Sequence, residues 1–137
     1  MRVFFDASAV AKRYVEESGS EEVRQWCDRD TELPLSVVVV PELISAFCRL
    51  RREGKITRRQ YTALKEQLLL DIVDALVVDT TPQVLSQAVL ALESHTLRGM
   101  GAIHVGAAVE CGAHAFVTAD RQQASAARAM GLEVVQV

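Results

Sequence analysis

The sequence lacks the features that mark several large classes of protein. No apolar run approaches the roughly 18–20 residues that cross a bilayer, so we expect no membrane association. Three cysteines, Cys27, Cys48 and Cys111, are far apart, odd in number and without metal-ligand spacing, which predicts reduced, packed thiols. With 15 Lys and Arg against 18 Asp and Glu, the net charge is −3, which argues against a protein that coats nucleic acid by bulk electrostatics.

The sequence also lacks the motifs of two other classes of protein and any sign of a second domain. No glycine-rich loop carries the lysine of a phosphate-binding loop, so a nucleotide hydrolase of that type is unsupported. A phosphoacceptor receiver domain would use Asp79, at the end of the third predicted strand, but no lysine follows the final strand. No repeat or linker is visible, and Met1 leads directly into a predicted strand rather than into a signal peptide. We therefore expect one cytoplasmic domain spanning residues 1–137.

What the sequence does contain is an alternation of strand and helix patterns. Apolar runs rich in β-formers predict strands at 2–5, 33–35, 73–79, 115–118 and 133–137. Helical patterns lie between them, at 7–16, 21–28, 41–52, 57–71, from 81, 102–110 and 121–130. Ser20 is the predicted cap of the second helix, and 98–101 is predicted to be a glycine-rich turn. This alternation predicts a parallel sheet with helices on both faces.

Three acidic residues fall at privileged places in this pattern. Asp6 follows the first predicted strand, Asp120 follows the fourth, and Glu42 lies in the first turn of a helix. In an open α/β sheet, ligands collect at the carboxyl ends of the strands, so Asp6 and Asp120 would face each other if their strands were neighbours. Taken singly, each has a structural explanation that is the more common one: Asp6 and Asp120 can cap the helices that follow them, and Glu42 can complement a helix dipole.

A cluster of carboxylates has a definite chemical meaning if it forms. Two full charges about 4 Å apart repel by roughly 4 kcal/mol at an effective dielectric near 20, so a hard cation is needed to neutralise them. An all-oxygen site of this kind suits Mg²⁺ or Mn²⁺. Such a metal can activate water and stabilise the charge that develops on a phosphodiester.

Four motifs occur in a definite order along the chain: Phe5 to Tyr14, Pro41 to Ala46, Leu97 to Ala108, and Phe116 to Asp120. In this order they resemble the motifs of PIN domains, and over essentially its whole length the chain is most similar to the VapC toxins of toxin–antitoxin pairs. The resemblance implies a three-layer α/β/α fold with a five-stranded parallel sheet in strand order 3-2-1-4-5. It also implies an endoribonuclease dependent on Mg²⁺, or on Mn²⁺, that cleaves structured RNA. Such toxins are usually homodimers and are inhibited by a VapB-like antitoxin.

The resemblance assigns catalytic, metal-holding roles to Asp6, Glu42 and Asp120, and a site-ordering role to Ser8. The third acidic position departs from the pattern, because toxins of this kind read Asp-Ala-Ile-His where this chain reads Gly101-Ala102-Ile103-His104. The glycine is either a natural variant with weakened metal binding or an introduced change. It keeps open an alternative function, a degenerate domain with impaired catalysis that acts as an RNA- or antitoxin-binding module.

Several other side chains are candidates for the site or for partner binding. Thr118 either hydrogen-bonds a site carboxylate or only finishes its strand, and His104 is more typical of a packed histidine than of a metal ligand. Lys12 and Arg13, one to two turns after Asp6, are candidates for contact with an RNA phosphate. A basic hairpin either meets RNA phosphates or is solvated surface, and comprises Arg49, Arg51, Arg52, Lys55, Arg58 and Arg59. The apolar helices on either side of it are candidates for burial against a second copy or an antitoxin helix.

Overall fold

The computed structural model describes residues 1–30 and 32–137. Its elements, in chain order, are β1 (Val3–Phe5), α1 (Ala7–Tyr14), α2 (Ser20–Cys27), β2 (Leu35–Ser36), α3 (Val39–Arg52), α4 (Arg58–Asp74), β3 (Val77–Val78), α5 (Pro82–Ser94), α6 (Gly99–Glu110), β4 (Ala115–Thr118), α7 (Arg121–Ala129) and β5 (Glu133–Gln136). None of the helices in these ranges combines the length and the hydropathy of a membrane span.

Strands β1, β4 and β5 form a parallel sheet with β4 at its centre. Val3 lies opposite Ala115 and Phe5 opposite Val117, so β1 and β4 are neighbours in register. Every residue of these two strands is buried, which explains why both read as continuous apolar runs rather than as alternating ones. The strand neighbours on which the predicted site depends are therefore confirmed.

The predicted five-stranded sheet in order 3-2-1-4-5 is wrong in one respect, because β2 and β3 pair as a separate two-stranded sheet. A backbone hydrogen bond of 3.3 Å joins the Phe5 N–H to the Pro34 carbonyl, beside the start of β2. Pro34 has no N–H to donate in return, and Leu33 before it has a positive φ of 46°. The hydrogen-bond ladder between β1 and β2 therefore cannot be extended at this point.

Several predicted element boundaries also differ from the structure; the strand predicted at 33–35, for example, is Leu35–Ser36. The strand predicted at 73–79 contains only Val77–Val78, because α4 continues through Asp74. The glycine-rich segment is the first turn of α6, which begins at Gly99, rather than a turn before the helix. Ser20 lies inside α2 and is not its cap; the N-cap is Gly19, whose φ of 90° is readily adopted by glycine.

Helices cover both faces of the β1-β4-β5 sheet, as predicted, and each face has its own apolar core. On one face Phe5 and Val117 pack with side chains from α1 to α4, which include Val10, Phe47 and Leu68. On the other, Phe4 stacks on Phe116 at a centroid distance of 5.9 Å, among side chains from α5, α6 and α7, which include Val84, Val105 and Ala127. Because successive strand residues point to opposite faces, the buried strands serve both cores.

Candidate active site

Asp6 and Asp120 lie at the same edge of the sheet, just beyond β1 and β4. The Asp6 N–H donates to the Val117 carbonyl at 3.2 Å, which holds the end of β1 against β4. Both aspartates cap helices: Asp6 accepts from the Ala9 N–H at 2.9 Å, and Asp120 accepts from the Gln122 N–H at 2.8 Å. Asp6 and Asp120 therefore cap helices and also lie at the same edge of the sheet. Their capping role does not exclude a role in metal binding or catalysis.

Two hydroxyl groups fix the carboxylate of Asp6, which is completely buried. Ser8 Oγ lies 2.8 Å from each carboxylate oxygen, and the Thr118 hydroxyl donates to Oδ2 at 2.8 Å. Thr118 also accepts from the Asp120 N–H at 2.9 Å, and Ser8 accepts from the Ala119 N–H at 2.9 Å. Ser8 and Thr118 therefore tie the ends of β1 and β4 together around Asp6.

Burial raises the pKa of Asp6 above its ordinary value of 3.8, because the charged form loses its hydration. The neighbouring His104 and the hydrogen bonds from Ala9, Thr118 and Ser8 act in the opposite direction, but burial is the larger effect. Ionised Asp6 therefore destabilises the folded chain, and a bound cation would relieve that cost.

We expect Asp6→Asn to raise the Tm in metal-free buffer at neutral pH but hardly at all near pH 3.8. When the pKa of a carboxyl group is higher in the folded chain than in the unfolded chain, the group stabilises the fold fully at any pH below its unfolded-state pKa. That stabilisation is lost as the pH rises through its folded-state pKa. The variant has no such charge to lose, and the hydroxyls of Ser8 and Thr118 can reverse their donor and acceptor roles toward an amide.

The measurement is thermal unfolding in chelator across this pH range, with Asp79→Asn as the control because Asp79 is exposed. A Tm difference between Asp6→Asn and the wild type that shrinks as pH rises would contradict the assignment of a buried, ionised carboxylate.

Glu42 reaches the site from the first turn of α3 and meets His104 of α6. His104 Nε2 lies 2.5 Å from Glu42 Oε1. His104 is 1% exposed, whereas the Glu42 side chain is 30% exposed, so the histidine holds the buried end of a carboxylate that also reaches solvent. This is the packed, hydrogen-bonded role for His104, and it fixes the position of Glu42.

Glu42 and Asp120 line a common cavity of about 510 Å³. The other lining residues are Leu97, Arg98, Met100, Gly101, Gln122 and Gln123. Asp6 is not among them and is completely buried, although Thr118 joins it to Asp120 through hydrogen bonds to both residues. Neither Arg98 nor Gln123 is marked as a site residue by a sequence pattern, although Arg98 falls inside the motif that begins at Leu97.

The cavity also contains the N-terminus of α6. Arg98 is the N-cap residue and its side chain makes no capping hydrogen bond, so the N–H groups of the first turn have no helical partner. The positive end of the helix dipole and the Arg98 side chain make this wall favourable for an anion. The carboxylates of Glu42 and Asp120 contribute the opposite charge to the same cavity.

Gly101 lies in the first turn of α6, next to a side chain from α7. A Cβ atom added at Gly101 would lie 3.1 Å from Cγ and 3.2 Å from both Cδ and Nε2 of Gln123. Gln123 is 8% exposed, and its Nε2 is 3.5 Å from Asp120 Oδ2. Its Oε1 is buried and has no hydrogen-bond partner in the part of the chain that the structure describes.

These donors fit a hydrated hard cation better than a metal held by three carboxylates. Residues 1–30 and 32–137 contain no group of three or more His, Cys, Asp or Glu side chains placed to hold a metal ion together. The cavity nevertheless has two carboxylates, from Glu42 and Asp120, and it is also lined by Gln123, whose buried Oε1 has no hydrogen-bond partner among the described residues. Mg²⁺ accepts such a set, because it keeps several waters and often binds only one or two carboxylates.

The basic residues that were candidates for contact with an RNA phosphate do not line this cavity. Lys12 and Arg13 lie in the last turn of α1. Lys12 Nζ donates to the Ser18 carbonyl at 2.6 Å, and the Arg13 guanidinium lies 3.5 Å from Asp71. The basic hairpin begins in the last turn of α3, whose first turn carries Glu42. At a rise of 1.5 Å per residue, its arginines on α3 lie about 10 to 15 Å along the helix from Glu42.

The fold and the site define an α/β protein with a carboxylate-lined cavity at the edge of a parallel sheet. The model of the PIN domain family matches residues 3–129, and the chain belongs to this family. The predicted resemblance to PIN domains of the VapC toxin type is confirmed. Among curated proteins, no sequence matches the chain.

Solved structures of low sequence identity share the fold. FitAcB from Neisseria gonorrhoeae has a TM-score of 0.71 at 15% identity, over 98% of this chain and 96% of that one. VapC20 of Mycobacterium tuberculosis, a toxin that cleaves the sarcin–ricin loop, has a TM-score of 0.68 at 18% identity, over 98% of both chains. PAE2754 from Pyrobaculum aerophilum has a TM-score of 0.69 at 20% identity, over 98% of this chain and 84% of that one.

Proposed function

We propose that the chain is a metal-dependent endoribonuclease that cleaves structured RNA, and that it is the toxin of a toxin–antitoxin pair. The observation that carries the proposal is one PIN-fold cavity that is lined by Glu42 and Asp120 and joined through Thr118 to the buried carboxylate of Asp6. Similarity to VapC20, which cleaves the sarcin–ricin loop, supports RNA as the substrate class.

The charged side chains of the cavity, and two buried side chains next to them, have distinct roles in this chemistry. Mg²⁺ or Mn²⁺, when bound, would supply an activated water and stabilise the charge on the phosphodiester. Glu42 and Asp120 would hold the cation, and the buried Asp6 would add negative charge. Arg98 and the free N–H groups of α6 would bind and orient an RNA phosphate. His104 would keep Glu42 in position.

In a second candidate function, the chain has the PIN fold but does not cleave RNA. The described residues contain no group of three acidic, His or Cys side chains able to hold a metal, and Gly101 stands at an acidic position of the family. These features favour a module that binds RNA or a VapB-like antitoxin without cutting. RNA cleavage by the purified chain that stops with a chelator and returns with Mg²⁺ supports the enzyme. RNA binding without cleavage at any Mg²⁺ concentration supports the module.

Two separate apolar surfaces of the chain could bind the two proposed partners, a second copy of the chain and an antitoxin. Helix α5 packs on α6 and leaves a row of apolar side chains exposed: Leu85, Val89, Leu90 and Leu92. We assign this face to a homodimer, because a contiguous exposed apolar patch is typical of an interface. A separate groove of about 460 Å³ lies between α1 and α4 and suits an amphipathic antitoxin helix; its apolar lining is Tyr14, Val15, Ile56, Ala63 and Leu64.

Val89→Asp is expected to weaken the homodimer by at least about 100-fold, because a charge would be buried without a partner. The measurement is molar mass by light scattering as a function of concentration. Val73→Asp is the matched control, since Val73 is an exposed valine on α4 and is 79% exposed. Dissociation by Val73→Asp but not by Val89→Asp would move the interface to α4.

A further inference from the structure

We propose that Gln123 takes the place of the missing acidic side chain at position 101, and that its carboxamide oxygen is the third protein ligand of the cation. This inference rests on the metal-dependent function proposed above. It concerns a residue that belongs to none of the acidic motif positions, and whose side chain reaches the cavity from a different helix.

The first argument is one of space. An aspartate at 101 would have its Cβ within 3.1 to 3.2 Å of three Gln123 side-chain atoms, so the Gln123 side chain occupies the volume next to position 101. The backbone of Gln123, from which this side chain extends, is held in the first turn of α7 because its N–H donates to Asp120 Oδ1 at 3.2 Å. Gly101 and Gln123 are therefore complementary: the absence of one side chain gives room to the other.

The second argument is the unsatisfied atom. Gln123 is more than nine-tenths buried, yet its Oε1 has no partner within residues 1–30 and 32–137. Its Nε2 points toward Asp120 Oδ2 at 3.5 Å, a long contact for a hydrogen bond. In the present rotamer Nε2 faces the Asp120 carboxylate, and Oε1 lies on the buried side. A half-turn of the amide on cation binding would bring Oε1 to the side of the Asp120 carboxylate and leave Nε2 in the buried position. An amide oxygen beside a carboxylate is a ligand pair that suits Mg²⁺ and Mn²⁺.

The third argument concerns charge. Two carboxylates and a neutral amide carry one negative charge fewer than Glu42 and Asp120 together with an acidic side chain at 101, so the ligand set repels itself less before the metal binds. The same neutrality lowers the attraction for the cation. The proposed set of Glu42, Asp120 and Gln123 is therefore expected to bind Mg²⁺ and Mn²⁺ more weakly than a three-carboxylate set, and a carboxylate at 123 should reverse this.

The test is calorimetric titration of the full chain with Mn²⁺ alone, without RNA. Gln123→Met keeps the length of the side chain but removes the oxygen, and should weaken Mn²⁺ binding about tenfold; Gln123→Glu should tighten it by a similar factor. Gln83→Glu adds the same charge at an exposed position of α5 and should change nothing. Asp120→Asn reports whether Mn²⁺ occupies this cavity at all.

A double variant that moves the oxygen ligand from position 123 to position 101 tests the same inference without relying on Gln123→Met, which could also disturb packing. Gly101→Asp with Gln123→Ala places the oxygen back on α6 and frees its space, so the double variant should bind Mn²⁺ more tightly than Gly101→Asp alone. Unchanged binding in both Gln123→Met and Gln123→Glu, with binding lost in Asp120→Asn, would overturn the inference and leave the proposed function standing. No Mn²⁺ binding by the wild type, or unchanged binding in Asp120→Asn, would overturn both.

Discussion

Asp120→Asn is expected to lower Mg²⁺-dependent RNA cleavage by at least about 100-fold while the chain keeps its fold. The substitution separates the two roles of this residue. As a cap, Asp120 needs only an oxygen to accept from the Gln122 and Gln123 N–H groups, and the asparagine amide offers one. As a metal ligand, Asp120 needs its charge, which asparagine lacks. Loss of cleavage with an unchanged Tm would therefore be loss of chemistry rather than of structure.

Asp6→Asn should also abolish cleavage, although Asp6 is buried and does not line the cavity. Its charge acts on the cavity at close range, and burial strengthens that action because less water screens it. Asp79→Asn is the control for both variants, since Asp79 is exposed at the end of β3. Full cleavage by purified Asp6→Asn or Asp120→Asn would remove these carboxylates from the proposed mechanism.

The parts of the site that could be predicted are those set by local pattern. An apolar run that stops at an aspartate, followed by helix-forming residues, identifies Asp6 and Asp120 as strand-end residues. The pairing of β1 with β4 follows from the family resemblance, and the structure confirms it. The hydrogen bond from Ser8 to Asp6 is local, because the two residues are two positions apart. The hydrogen bond from Thr118 to Asp6 joins distant parts of the chain and forms because β1 and β4 are neighbours.

The parts that could not be predicted depend on how distant elements pack. Gln123 meets position 101 only because α7 lies beside α6, and nothing in the sequence around Gln123 indicates that contact. Lys12 and Arg13 are close to Asp6 in sequence, but both lie in the last turn of α1, where they contact Ser18 and Asp71 rather than line the cavity. The run at 73–79 has the composition of a strand, yet α4 continues through its first residues and leaves Val73 79% exposed.

Gly106→Ala is expected to lower the Tm by about 10 °C, the largest effect on stability of any substitution considered. A Cβ atom at Gly106 would lie 2.6 Å from the Val84 carbonyl oxygen and 3.1 Å from the Ala88 backbone nitrogen. Both atoms belong to the backbone of α5, so no side chain can rotate away and the two helices must separate. Overpacking of this kind costs about 3 kcal/mol, which exceeds the roughly 1 kcal/mol that alanine contributes to a helix over glycine.

Gly99→Ala is the matched control for this prediction, because it makes the same change in the same helix. Among the described residues, no atom beyond its chain neighbours and the backbone of its own helix lies within 4 Å of the added Cβ. Its Tm should stay the same or rise slightly. The effect of Gly106→Ala should also reach the cavity, since α6 carries both Gly101 and His104 and any displacement from α5 shifts the helix as a unit. The measurement is the Tm of the two variants by thermal unfolding. Equal Tm values for Gly106→Ala and Gly99→Ala would mean that α5 and α6 lie farther apart than the 2.6 Å between the added Cβ and the Val84 carbonyl oxygen implies.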